Sequence, residues 1–245
     1  CGLGKALEIG GEMIEFSKRE TSGDPDVKIG KGVATVQQGS GLPGLDMANA
    51  TVKMLGDGTF LVQSGGADIG TGLDLVSAKM TSEILKIDMD YITVQSGDTD
   101  MAPFDTGAYA SSGTYFSGGA ARNAAAKMSK MICAEAAAIL GGSPGDYSIE
   151  YPATVTGPGG SMDFAKLAWR TQGGEGSGQL IASASFTTEY FSFPYGAHFC
   201  QVAVNTRTGK VKLQKYYTLQ DAGTPINPEY ALGQIPADGI LVFST

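Results

Sequence analysis

Ser64-Gly-Gly-Ala-Asp-Ile-Gly-Thr-Gly72 lies between a strand-like run, Thr59 to Gln63, and a segment in which Leu73, Val76, Met80, Ile84 and Ile87 recur at steps of three and four. That recurrence predicts an amphipathic helix over 72–87 whose apolar face covers a sheet. Strand, glycine loop and helix N-terminus therefore follow in that order. The first N–H groups of a helix have no intrahelical partner and, with the helix dipole, favour an anion. Glycines at 70 and 72 let a ligand approach the backbone with no Cβ in the way, and the Thr71 hydroxyl can donate. Ordinary N-capping is the alternative reading of the same residues.

The signal occurs a second time. Ala108-Tyr-Ala-Ser-Ser-Gly-Thr114 leads into the alanine-rich stretch Thr114 to Leu140, where Phe116, Ala120, Ala124, Met128, Ile132 and Ala136 fall on one face before Gly141-Gly142. Two such starts, with the polar loop Ser96 to Ser112 between them, point to one large anionic ligand. Upstream, Val33-Ala-Thr-Val36 reads as a strand, and Ala50–Leu55 and Thr59–Gln63 flank Gly56-Asp-Gly58 as a hairpin. Tyr91-Ile-Thr-Val94 is a further strand. Downstream, Pro144-Gly145, Gly157-Pro-Gly-Gly160 and Gly173-Gly-Glu-Gly176 punctuate a lobe boundary, with a short helix from Asp163 to Arg170 behind a Ser161 cap. The last third is β-rich: Leu180–Phe186, Ala197–Asn205 and Lys210–Leu219. The expected fold class is α+β, mixed sheets covered on one side by the two long helices. Residues 1–31 read as an N-terminal connecting segment and 32–245 as one domain, or two lobes at 32–142 and 143–245.

Composition narrows the function. Glycine supplies 36 of 245 residues, about twice the usual share, without a three-residue period. Seventeen basic against 25 acidic residues give a net charge of −8, which argues against a phosphate-tracking groove for nucleic acid. No run of eighteen apolar residues occurs and the first residues carry no secretion signal, so a soluble, cytoplasmic protein without a membrane partner is expected. Cys1, Cys133 and Cys200 are too scattered for a disulfide framework and are expected to be reduced, buried thiols. A first residue other than Met and an ending in mid-pattern lead to the expectation of a fragment.

Several chemistries drop out. His198 is the single histidine, so no multi-histidine metal site can form, and it reads as a satisfied, partly buried side chain. Gly39-Ser-Gly-Leu-Pro-Gly44 spells a dinucleotide fingerprint but has no room for the helix that would hold a pyrophosphate, and reads as a strand-to-strand loop. Asp98 and Asp100 lack the spacing of a calcium loop and read as solvated turn carboxylates.

The string Gly65 to Leu85 resembles the pterin-binding segment of the xanthine dehydrogenase and aldehyde oxidase family. In the same order as that family stand Val94-Gln-Ser-Gly-Asp-Thr99, Ala110-Ser-Ser-Gly-Thr114 with Gly118-Gly-Ala-Ala121, and Phe199-Cys-Gln-Val-Ala-Val-Asn-Thr-Arg-Thr-Gly-Lys-Val211. Gln220-Asp-Ala-Gly-Thr-Pro-Ile-Asn-Pro228 and Gly233-Gln234 complete the series. The resemblance implies a molybdenum hydroxylase subunit of the molybdenum-cofactor-binding domain type, with a molybdopterin-type cofactor whose metal is held by dithiolene sulfurs rather than protein ligands. It implies cofactor contacts from Ile69, Gly70, Thr71 and Gly72, from Ala110, Ser111, Ser112, Gly113 and Thr114, and from Gln234. Iron–sulfur and FAD subunits or domains would be the partners, an aldehyde or purine-like N-heterocycle the small-molecule substrate, and water the oxygen source; an oligomer is compatible.

Thr71 stands where the family usually has glutamine, and Ile235-Pro-Ala-Asp238 replaces the usual continuation after Gln234. The family's general-base glutamate has no counterpart in the chain, so no catalytic residue is assigned and the chain alone is expected not to turn over. The alternative is a noncatalytic pterin- or anion-binding, or assembly, fragment of the same family.

Overall fold

The computed structural model describes residues 2–234 and, as backbone, 240–243; Cys1 and the Ile235-Pro-Ala-Asp238 continuation lie outside the described residues. In chain order the elements are α1 (Leu3–Met13), β1 (Val27–Gln37), β2 (Ala48–Met54), β3 (Phe60–Ser64), α2 (Leu73–Leu85), β4 (Ile92–Ser96) and α3 (Gly113–Leu140). There follow β5 (Ser148–Glu150), β6 (Thr154–Gly157), β7 (Gly160–Asp163), α4 (Phe164–Arg170), β8 (Ile181–Phe186), β9 (Tyr195–Asn205), β10 (Val211–Asp221), α5 (Pro228–Gly233) and β11 (Ile240–Phe243).

Contacts gather into two units, Cys1–Gly39 with Ser192–Thr245, and Ser40–Phe191. The expected lobes at 32–142 and 143–245 divide the chain differently. Strand β1 pairs along its whole length with β9, Val33 opposite Phe199, so the two ends of the chain share one sheet. The segment after Leu140 stays with α3, because β8 pairs with β2, Ala50 opposite Ala184.

In the Ser40–Phe191 unit a four-stranded sheet runs β4-β3-β2-β8. The hairpin at Gly56-Asp-Gly58 forms as expected: Gly58 takes φ +83°, and β2 and β3 pair antiparallel from Met54 opposite Phe60 to Ala50 opposite Ser64. One face of this sheet is apolar and buried through Ala48, Ala50, Val52, Met54, Phe60 and Val62. Helix α3 buries its expected stripe, Phe116, Ala120, Ala124, Met128, Ile132 and Ala136, in the same core. Small alanines along the stripe bring the helix close to the sheet.

Helix α2 turns differently from its sequence pattern. Its buried residues are Leu73, Ser77, Ala78, Thr81 and Leu85, while Val76, Met80 and Ile84 are half-buried. The helix packs on α3 as well as on the sheet, and the small Ser77 and Ala78 permit the close approach. The short helix α4 is capped by Asp163, whose carboxylate accepts the Lys166 N–H at 2.7 Å, and not by Ser161, which is paired within β7 opposite Thr156.

The other unit is a sheet of order β1-β9-β10-β11 with α1 on β9 and β10. The stretch read as a connecting segment therefore contributes a helix and a strand. Its core gathers Ile14, Ala197, Phe199 and Leu219, and Gly10 lies directly on the Phe199 ring. Cys133 and Cys200 are free and only partly buried.

Candidate functional site

Strands β3 and β4 run parallel, Phe60 opposite Ile92 and Ser64 opposite Ser96, with α2 as their crossover. The glycine loop 65–72 therefore leaves the carboxyl end of β3, the place where such βαβ units hold ligands. Its first two glycines are packing positions. A Cβ on Gly65 would stand 2.2 Å from the Pro103 carbonyl oxygen, and one on Gly66 would stand 2.6 Å from Ser117 Oγ and 2.7 Å from Leu73 Cδ2. The later glycines are open. Gly70 (φ +97°) and Gly72 (φ +76°) occupy the left-handed region, with nothing within 4 Å of where a Cβ would sit. Ile69 is 67% exposed and Thr71 is exposed beside it.

The backbone N–H groups of this loop are not free, contrary to the sequence expectation. Asp68 Oδ1 accepts from Gly70 and Thr71 at 2.9 Å each and from Gly72 at 3.1 Å, while Oδ2 accepts the Asp74 N–H at 3.4 Å. Desolvation pulls the Asp68 pKa upward, but the N–H groups of Gly70, Asp74, Gly72 and Thr71 outweigh it and hold the carboxyl below the ordinary 3.8. At the start of α2, Asp74 Oδ1 is buried and has no hydrogen-bond partner among the described residues.

The second helix start is built by a different set of contacts. Ala110 (φ +48°) and Ser111 (φ +54°) both adopt the left-handed conformation, uncommon for residues with a Cβ. The Gly41 N–H donates to the Ala110 carbonyl at 2.7 Å. Next to it the Tyr109 hydroxyl donates to Asp46 in a short hydrogen bond, which raises the tyrosine pKa. Asp46, 2% exposed, also accepts the Leu42 N–H at 2.7 Å. Ser112 is buried: its N–H donates to the Tyr109 carbonyl at 3.0 Å and its hydroxyl to the Gly107 carbonyl at 3.3 Å. The first i→i−4 bond of α3 joins Phe116 N–H to the Ser112 carbonyl, so the N–H groups of Gly113, Thr114 and Tyr115 stand ahead of the helical ladder.

Leu73 brings the two starts together. Its methyls lie against Gly66 on one side, where a Cβ would stand 2.7 Å from Cδ2, and against Gly113 on the other, where a Cβ would stand 3.6 Å from both methyls. Asp105 ties the same corner, accepting the Gly107 N–H and the Ser117 hydroxyl, each at 2.8 Å. Ile69 to Gly72 and Ala110 to Thr114 thus lie at one corner of one unit. Gln234 belongs to the other unit, where it is exposed in the turn that ends α5.

The sequence reading missed Asp46, Asp68, Tyr109 and Gly41. Only Asp68 had a local signal, an aspartate two residues before a glycine, the pattern of an Asx turn. His198 is half-buried with Nδ1 2.6 Å from the Tyr216 hydroxyl, as its satisfied reading requires. Asp98 is exposed and accepts the Asp100 N–H at 3.0 Å, a turn carboxylate. Among the described residues no helix is long and apolar enough to cross a membrane.

Residues 11–237 match the family model described as the molybdopterin cofactor-binding domain. The chain is 49% identical over 235 residues to the protein named "Probable hypoxanthine oxidase XdhD" of Escherichia coli (strain K12), an alignment covering 96% of this chain and 24% of that protein. It is 31% identical over 247 residues to the xanthine dehydrogenase molybdenum-binding subunit of Escherichia coli O157:H7, covering 96% of this chain and 33% of that one. Among solved structures, the Cu,Mo-CO dehydrogenase superposes with a TM-score of 0.81 at 25% identity, over 94% of this chain and 32% of that chain. Quinoline 2-oxidoreductase from Pseudomonas putida 86 shares the fold, with a TM-score of 0.80 at 22% identity over 94% of this chain and 32% of that chain. The chain spans 24% to 33% of the length of these two curated relatives, and one of them is named as a subunit.

Proposed function

The chain belongs to the molybdopterin cofactor-binding domain family, and on that premise we propose that its two helix starts hold the cofactor of a molybdenum hydroxylase acting on an aldehyde or a purine-like N-heterocycle. The observation that carries this reading is the meeting of the two loops across Leu73. The open faces of Gly70 and Gly72 admit a flat ring against the backbone. The Thr71 and Ser111 side chains are exposed at that corner. When bound, the cofactor supplies two-electron oxidation with water as the oxygen source.

The chain's own part is to bind and orient. Thr71 would meet the cofactor through its hydroxyl, Ile69, Gly70 and Gly72 through their peptide faces, and Ser111 to Thr114 through hydroxyls and the leading N–H groups of α3. Ser112 would contribute least, since its hydroxyl is held by Gly107, its N–H by Tyr109 and its carbonyl by Phe116. Gln234 would add a side-chain amide. Iron–sulfur and FAD subunits or domains would carry the electrons away. The occupied N–H groups at Gly70 to Gly72 disfavour the rival reading of that loop as a simple anion site.

The test uses the complete subunit containing this chain, purified from a molybdate-fed source, with molybdenum and pterin measured per polypeptide. Thr71→Val and Ser111→Ala are each expected to lower occupancy several-fold, and Gln234→Ala likewise. Parent-like occupancy in the first two rejects the loop assignment; in Gln234→Ala it removes that residue alone. Turnover of an aldehyde and purine panel by the loaded enzyme then assigns the substrate class.

A further inference from the structure

Gly70 and Gly72 hold left-handed conformations with nothing within 4 Å of where a Cβ would sit, and Ile69 and Thr71 are exposed. Side-chain packing therefore does not hold this loop in shape. What ties it is one carboxylate, which collects the N–H groups of Gly70, Thr71, Gly72 and Asp74. Hydrogen bonds to an ionised acceptor are the strong class. A carboxylate in this position is also where an external anion would sit at a helix start. With Asp68 present, such an anion would find those donors taken and a formal negative charge in their place.

We propose that Asp68 is a positioning residue, an internal cap that sets the glycine loop so that the Thr71 hydroxyl and the peptide faces of 69–72, rather than the backbone N–H groups, meet the cofactor. This rests on the cofactor reading of the loop given above. Asp68 itself makes no cofactor contact. Its effect is to pay in advance the ordering of a loop that the ligand would otherwise have to freeze.

The experiment again takes the complete subunit, in two preparations. Cofactor-free protein is followed by amide hydrogen exchange, and protein from a molybdate-fed source by molybdenum content. In Asp68→Ala, exchange at residues 70–72 is expected to rise about tenfold or more, with residues 116–136 unchanged, and molybdenum content to fall several-fold. Asp68→Asn keeps one acceptor oxygen but turns an amide toward a backbone donor, and should fall between parent and Asp68→Ala in both readouts. Thr71→Val should lower molybdenum content while leaving exchange at the parent rate, which separates loop order from direct contact. Unchanged exchange in Asp68→Ala overturns the proposal, and so does raised exchange with full molybdenum content. If Thr71→Val and Ser111→Ala both retain full molybdenum content, the cofactor reading falls first and this inference with it.

Discussion

Gly66 has no space for a methyl group, because a Cβ there would press on both Ser117 and Leu73. Gly66→Ala is expected to cost about 1–3 kcal/mol, as overpacking does, read as a lower urea midpoint of the subunit. Since Leu73 joins the two loops, molybdenum content should fall with it. Gly41→Ala combines a clash 2.2 Å from the Phe116 ring with φ +78°, and should disturb the loop that supports Ala110. The Asp68 carboxyl has a folded pKa below its unfolded value. Its capping contribution is therefore complete above the ordinary 3.8 and is lost as pH falls through the lower folded value. Carboxyl titration by NMR should give Asp68 an apparent pKa below that of exposed aspartates, and an ordinary value would remove the cap. At this scale the open faces of Gly70 and Gly72 were legible from their place before the helix, whereas the packing roles of Gly65 and Gly66 were not, since Pro103 and Ser117, which crowd them, lie far along the chain.

Helix α3 is the element that sequence describes best. A stripe at steps of four and buried small residues follow from 3.6 residues per turn, whatever the helix packs on. Met128→Ala, fully buried, is expected to cost about 2–5 kcal/mol, whereas exposed Arg122→Ala should stay within about 0.5 kcal/mol; paired urea titrations decide it. Helix α2 is the counterexample. Its apolar stripe and its buried face differ because two surfaces, the sheet and α3, compete for it. At α4 the cap is Asp163, so Asp163→Ala should cost about 1 kcal/mol and Ser161→Ala much less. The distinction was invisible locally, since β7 takes up Ser161 only through its pairing with β6.

For the molecule as a whole, Gln234 stands about 120 residues after Ala110 and in a different unit. Gln234→Ala is therefore read by itself, as the molybdenum content of the complete subunit, and parent-like content would remove that residue alone. Sequence by itself determined helices α2, α3 and α4, most strands and the family, because periodicity and ordered motifs survive in one dimension, whereas α1 and α5 carried no pattern that set them apart from connecting chain. The tertiary structure alone decided the interleaving of the chain into two units, the meeting of the two loops at Leu73 and the closure of Gly70 to Gly72 onto Asp68. Strand pairings such as Val33 with Phe199 and contacts such as Gly41 with Ala110 join residues far apart in the chain. Their free energy depends on which surfaces the rest of the fold brings within reach, and no local pattern encodes that.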